Sequence, residues 1–418
     1  MTGLRRLGLS LMAPALALVV ALALSAAVIA LIGQNPATAV GVMFDFGDSP
    51  AQQTQAIVLV LNRAVPLFLA GLAVSVAFRM GLFNIGVEGQ YRIATVLAAG
   101  AGAAVVLPGP LHLLFIIVVA MAVGACWAGI VAVLKVTRGV SEVISSIMLN
   151  FIALGLASYL LTGPLRGSPE GASIITTSEI PESGWFPGLN GVLTGLGLAE
   201  PRSELYGFLV VAIVVGIAVA VLIKRTRFGF DLRATGMSPS AATASGVDAR
   251  RMVLKAMLIS GAIAGLIGLP DLLGDAHDYN TEFTAGLGFL GIAVALLGRN
   301  SPLGIAFGAL LFAFLDRAAV PLQFADIPAS VVTIIQGTIV LAVVVANEIA
   351  RRVTRQQAER GNAVAPPTSG DGSTGGEPGP GDGPPPDVGP TTGTGTGVGV
   401  RNATGEAGRT DRRQGAGA

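Results

Sequence analysis

The sequence predicts an all-α, polytopic membrane protein of about ten transmembrane helices, some of them broken or re-entrant. Three observations carry that expectation. Hydrophobic residues make up 52% of the 418 residues and charged residues only 12%, against roughly 25% charged in a soluble domain. Apolar runs suited to about 30 Å of hydrocarbon recur between residues 1 and 360. The loops between them alternate in charge.

The composition excludes several classes. A formal net charge of +1 gives no field that would recruit nucleic acid. Cys126 is the sole cysteine, so there is no intrachain disulfide, and with only His112 and His277 beside it no standard structural zinc site can be built. The expected catalytic and metal sets are therefore both empty.

The expected spans are 13–32, 57–77, 93–106, 111–134, 143–161, 205–223, 256–269, 287–297, 303–315 and 330–346. Helices are the default because each backbone N–H must be satisfied within its own segment, and the runs are too uniformly apolar for alternating barrel strands. With the N-terminus inside, the inner loops carry Arg79, then Lys135 and Arg138, then the basic 224–255 stretch, then Arg299, and finally Arg351, Arg352 and Arg355. The outer loops carry Asp45 and Asp48, the acidic 163–204 loop, and Asp271, Asp275, Asp278 and Glu282. This follows the positive-inside rule and puts both termini in the cytoplasm of a multi-pass cell-membrane protein. Arg63, near an outer helix end, is the exception and is expected to snorkel.

In chain order, Arg5 and Arg6 precede an apolar run longer than a signal-peptide core, so 13–32 is read as a helix. Residues 81–90 (GLFNIGVEGQ) place Gly81, Gly86 and Gly89 in an apolar setting, which favours a break tolerated only where protein or a watery cavity satisfies the backbone. Asn84, Glu88 and Gln90 there are either groups of a translocation pathway or packing locks for the break. Cys126, mid-helix, is read as packing. In 140–150, Ser141 is placed to cap a helix with Glu142 in its first turn. Asn150, two turns on, is either helix–helix glue or a lumen group.

The 224–255 loop holds seven basic residues, whose plain reading is topology and anionic headgroups. Within it Ser238 and Pro239 read as an N-cap and first helical residue, Gly246 as a stop, and Asp248 as the cap of the next span. The short helix between, containing Ala241 and preceded by Gly236, is too short to stand alone in water and should dock on a cytoplasmic partner. Residues 83–87 echo 289–294 with one insertion, and matched Gly-interrupted segments in two halves point to a midplane pathway. Asp316, beside Arg317, is read as part of a structural pair rather than a relay. The three lysines (Lys135, Lys224, Lys255) lack a preceding glycine, so there is no Walker A loop. Residues 361–418 contain 17 Gly and 8 Pro but no Leu, Ile, Phe, Met, Trp or Tyr, and are expected to be a disordered cytoplasmic tail on a 1–360 transmembrane domain.

The segments 81–90, 142–150, 233–253 and 288–304 together resemble the permease subunits of ABC importers in the simple-sugar and branched-chain amino-acid permease superfamily. FNIGVEGQ and EVISSIMLN are the specific part, and the nucleoside branch is the nearest. The resemblance spans about residues 50–348, leaving the first fifty residues and the tail outside it. It implies a type II, vitamin B12 importer-like fold, and a cytoplasmic coupling helix that falls on 238–246. It also implies a second related permease, a separate ATPase that uses the ATP, and an extracellular solute-binding lipoprotein. No cofactor is expected on this chain itself, and Asn84, Glu88 and Asn150 match motif positions of the family. The expected function is nucleoside import. Sugar (ribose-type) or branched-chain amino-acid import is the alternative within the family, and a stand-alone secondary carrier or channel the alternative outside it. A membrane-embedded enzyme is a distant third, since no nucleophile–base constellation appears.

Overall fold

The computed structural model describes Val19 and residues 23–363. Residues 13–18 and 20–22 of the expected 13–32 span, and the Gly/Pro segment from 364 onward, lie outside the described residues. Among the described residues every regular element is helical, with only two isolated antiparallel bridges, Arg166 with Thr177 and Thr176 with Asn280.

Helix α1 (Ala23–Leu31) turns through 112° into α2 (Pro36–Met43). Gly33 takes the positive φ of 86° that this corner needs, and Asn35 caps α2 by accepting the Ala37 N–H at 2.9 Å. The central post is α3 (Pro50–Phe78). It opens on a capping box in which Ser49 and Gln52 exchange hydrogen bonds, with Pro50 at the first helical position. From Ala64 to Ala77 it is buried almost without interruption, as an apolar helix surrounded by others must be. Helices α4 (Val87–Ala103), α5 (Gly109–Arg138) and α6 (Glu142–Thr162) follow. A long loop then carries the turn Glu182–Gly184 and α7 (Asn190–Gly195) to α8 (Phe208–Arg225). Next come α9 (Arg227–Met237), α10 (Pro239–Ala244), and α11 (Ala249–Gly265), which continues through α12 (Leu269–Asp271) and a π turn, Leu272–Ala276. The last helices are α13 (Leu287–Leu297), α14 (Pro302–Phe324) and α15 (Ser330–Ala363).

Packing around α3 draws in α11, α13 and α14. The closest crossing is α5 on α11, where small residues let two backbones touch. A Cβ on Gly124 would overlap the Gly261 carbonyl, and one on Gly265 would overlap the Ala120 carbonyl. Spaced four apart, Gly124 and Ala128 face Gly261 and Gly265, the small-residue seam by which membrane helices gain dispersion contact without a hydrophobic drive.

Among the described residues six helices are long and apolar enough to cross a membrane alone, and seven if α1 and α2 count as one span. Of the ten expected spans, 93–106 falls on the 17-residue α4, and 287–297 on the 11-residue α13. At 1.5 Å per residue α13 reaches about 16 Å, half the hydrocarbon thickness.

Several local readings are corrected. Ser141 stands at the N-cap of α6 but its side chain makes no capping bond. Instead Glu142 pairs with Lys135 at 2.5 Å across the Gly139 turn. Cys126 is exposed on α5 rather than packed. Arg63 does not snorkel: its Nε binds Asp316 Oδ2 at 2.6 Å. Asp316 is therefore in a structural pair, but with Arg63 of α3. Its neighbour Arg317 turns away, donating to the Met43 and Asp45 carbonyls and lying over the Phe46 ring.

The 163–204 loop, read from sequence only as acidic, is tied down. Ile180 N–H donates to His277 O, Thr177 N–H to Tyr279 O, and Phe186 N–H to Leu273 O, each within 2.9 Å. Trp185 stacks on His277 with centroids 3.8 Å apart. Asn62 of α3 bridges the Glu204 carbonyl and the Tyr206 N–H. Burial lowers the His277 pKa even though Glu179, Asp275 and Asp278 lie near to raise it.

Candidate functional site

The chain leaves α3 through a non-helical stretch, 79–86, where Gly81 adopts φ +73°. This is the break the glycines predicted, and it gathers the polar residues singled out from sequence. Asn84 is fully buried. Its Oδ1 accepts the Gly86 N–H and Gln90 Nε2, while its Nδ2 donates to Gln90 Oε1 at 3.1 Å and to Ser260 Oγ at 2.9 Å. Ser260 Oγ in turn donates a hydrogen bond to the Ala73 carbonyl at 2.6 Å. Asn84 and Gln90 thus form a reciprocal amide pair between the break and the first turn of α4, moored to α11. Asn150, on α6, completes the arrangement. Its Oδ1 accepts the Gly89 N–H at 2.9 Å and its Nδ2 donates to Ile85 O at 3.0 Å. The donors freed by interrupting the helix are satisfied by side chains, as a backbone at membrane depth requires.

Glu88 lies in the first turn of α4 but points at a different helix. Oε1 accepts the Gly286 N–H at 2.9 Å and Oε2 the Gly288 N–H at 3.0 Å, so the carboxylate caps α13. Gly286 holds φ +85° to present those groups, and a Cβ at Gly288 would overlap the Glu88 backbone. Arg92 Nε at 2.9 Å and Tyr91 Oη at 3.2 Å complete four donors around one carboxylate that is 7% exposed. A negative charge at a helix N-terminus is favourable, more so when partly buried. The two Gly-interrupted segments therefore meet, though not in the register that sequence suggested: residues 83–87 are the non-helical break, whereas 289–294 lie inside α13.

The second locus is α9, α10 and their caps. Ser238 Oγ accepts the Ala241 N–H at 3.3 Å, and Pro239 opens α10. Gly246 ends it at φ +86°, where Val247 N–H reaches back to Ala242 O. Asp248 caps α11 through the Arg251 N–H at 3.0 Å. Gly236, in α9, lies against the end of α3, where a Cβ would overlap the Arg79 carbonyl. Arg79 in turn donates to the Asn300 carbonyl, in the turn joining α13 and α14. The short helix is thus in contact, through α9, with the residues that immediately precede the break.

Sequence reasoning missed Ser260, Tyr91 and Arg92, which carry no signal apart from their place in the fold. It also misjudged Arg63 and Asp316, where a charge inside an apolar run was itself the signal. Gln336 Nε2 donates to Asp316 Oδ1 at 2.7 Å, adding α15 to that pair. His112 is satisfied at both nitrogens, by Ser183 and the Gly102 carbonyl. Among the described residues no group of His, Cys, Asp or Glu is placed to hold a metal ion.

Long apolar helices, a break whose backbone is satisfied by side chains, and a capped helix on the basic loop define a multi-pass membrane protein. Residues 56–344 match the family described as branched-chain amino acid transport system / permease component, and the chain belongs to that family. It is 34% identical to the glucose ABC transporter permease protein TsgB13 of Haloferax volcanii, over 86% of this chain and 94% of that one. It is 33% identical to the guanosine ABC transporter permease protein NupP of Bacillus subtilis, over 80% of this chain and 92% of that one. A second Bacillus subtilis protein, the guanosine ABC transporter permease protein NupQ, is 29% identical over 63% of this chain and 83% of that one. The chain is an ABC transporter permease subunit, a transport component.

Proposed function

We propose that this chain is the permease of an ATP-driven nucleoside importer, with ten crossings in a type II fold, both termini cytoplasmic, and the tail from 361 dispensable for transport. Support for nucleosides comes from the likeness to the guanosine permease along most of both chains. The glucose-named relative favours a second reading, a sugar importer. A guanosine-named pair in one organism supports a second, related permease as partner. An ATPase on a separate chain would hydrolyse ATP, and an extracellular binding lipoprotein would deliver the solute.

In this reading the ATPase grips α10, which its caps make a rigid knob. Closure of the ATPase pair moves α9 against Arg79 and Met80, and the adjoining break carries the displacement into α4. Because Glu88 ties α4 to α13, the two half-helices move together and switch access from one side to the other. Asn84, Gln90 and Asn150 hold the break in shape beside the pathway, and Glu88 fixes the α13 end.

Replacing Gly236 with Leu should push α9 off the end of α3, and replacing Gly246 with Val should strain the turn by about 1 kcal/mol or more. Both should lower solute uptake per ATP hydrolysed in the reconstituted complex. Unchanged coupling in both would remove the proposed route. Co-purification from native membranes tests the assembly: recovery of this chain alone, where a control ABC complex survives, would favour a self-sufficient carrier.

A further inference from the structure

Arg63 and Asp316 sit within two membrane-crossing helices, Arg63 about 20 Å from the nearer end of α3 and Asp316 about 12 Å from the nearer end of α14 at 1.5 Å per residue. They keep 27% and 23% of their side chains accessible. A charged pair with surface turned to hydrocarbon is expensive, so intramembrane ion pairs with accessible surface face water or another polar surface. Both Asp316 oxygens are taken, one by Arg63 and one by Gln336. Among the described residues the Arg63 guanidinium makes its hydrogen bond through Nε alone, which leaves both Nη groups as donors. Asp271 lies close enough to Arg63 and Tyr206 for its charge to act on both.

We propose that Arg63, Asp316 and Gln336, with Asp271 behind them, form a solute subsite in the pathway, on the side of the 163–204 loop. The chemistry fits an uncharged, hydroxyl-rich solute: a guanidinium donates to hydroxyl oxygens and carboxylates accept from hydroxyl protons. Two carboxylates around one cation repel a phosphorylated solute. The subsite therefore passes a nucleoside or a sugar and turns back their phosphates. It rests on the permease reading and its orientation, but not on which solute is carried.

The test uses the assembled importer in proteoliposomes, with Cys126→Ser as background. Leu59 and Thr333 are both exposed and lie one turn from Arg63 and Gln336 on the same helix faces. Leu59→Cys and Thr333→Cys should react with a charged, membrane-impermeant thiol reagent added from the 163–204 side. Val214→Cys on α8, 59% exposed, should react only with a lipophilic maleimide. A solute that occupies the site, at ten times its half-saturating concentration, should slow the first two reactions about tenfold. Its phosphate ester should not, and Asp316→Asn should abolish the protection. Labelling of Leu59→Cys and Thr333→Cys only by the maleimide would place them in lipid, and labelling by neither reagent would place them under a partner subunit. Either result overturns the subsite. Protection by glucose but not guanosine would leave the subsite standing and overturn the nucleoside assignment instead.

Discussion

Glu88 gathers four donors from two helices and one side-chain cation, so its removal leaves more than one group unpaired. Glu88→Ala should destabilise the protein by about 3–5 kcal/mol, the range for breaking one side of a buried ion pair. Glu88→Gln should cost less, about 2 kcal/mol, because one carbonyl oxygen still accepts. Chemical denaturation of the purified complex would measure both, and equal, negligible effects would show that the α13 cap is not structural. His277 gives a pH dependence of known sign. Its folded-state pKa lies below the ordinary value of about 6.5. The unfolded chain therefore takes up the proton first, and stability held above pH ~6.5 is lost as pH falls through that value toward the folded one. His277→Asn suits the φ of +55° there and removes the titration. It should flatten the fall in Tm between neutral and mildly acidic pH, and an unchanged slope would assign the fall to other groups.

At the scale of elements, the seam between α5 and α11 has no room for a side chain. Gly261→Val should destabilise by about 3 kcal/mol, since two backbones would have to part. A leucine at exposed Gly155, which has open space around it, should be nearly neutral, and equal Tm losses for the two would show the seam is not tight. Ser238→Ala removes the one side-chain cap of α10 and should cost about 1 kcal/mol locally. Because α10 is only six residues long, fraying there should appear as faster amide exchange over 238–246 with little change in global Tm.

Across the whole molecule, the proposed dispensability of the tail predicts that truncation after Ala363 leaves uptake within about twofold of the full chain, a change under 0.5 kcal/mol in any coupled equilibrium. A larger loss, measured by transport in the assembled complex, would give the tail a role. The complex should also lose most coupling when α10 is altered but little when the tail is cut, which separates the two cytoplasmic features.

Much of the fold was legible because its causes are local. Apolar run length, the Ser238–Pro239 start, the Gly246 stop and the Asp248 cap act within a few residues, so α10 and its neighbours could be read directly. The glycines likewise marked the break: Gly81 supplies its positive φ, while Gly86 and Gly89 leave room for Asn84, Gln90 and Asn150 to pack against it. What those polar residues bind was decided by tertiary structure. Glu88 meets Gly286 and Gly288 across about two hundred positions of chain, Asn84 meets Ser260, and Arg63 meets Asp316. No local pattern encodes those pairings. They follow from burial, which forces each polar group to take whatever partner the packing of distant helices brings within reach.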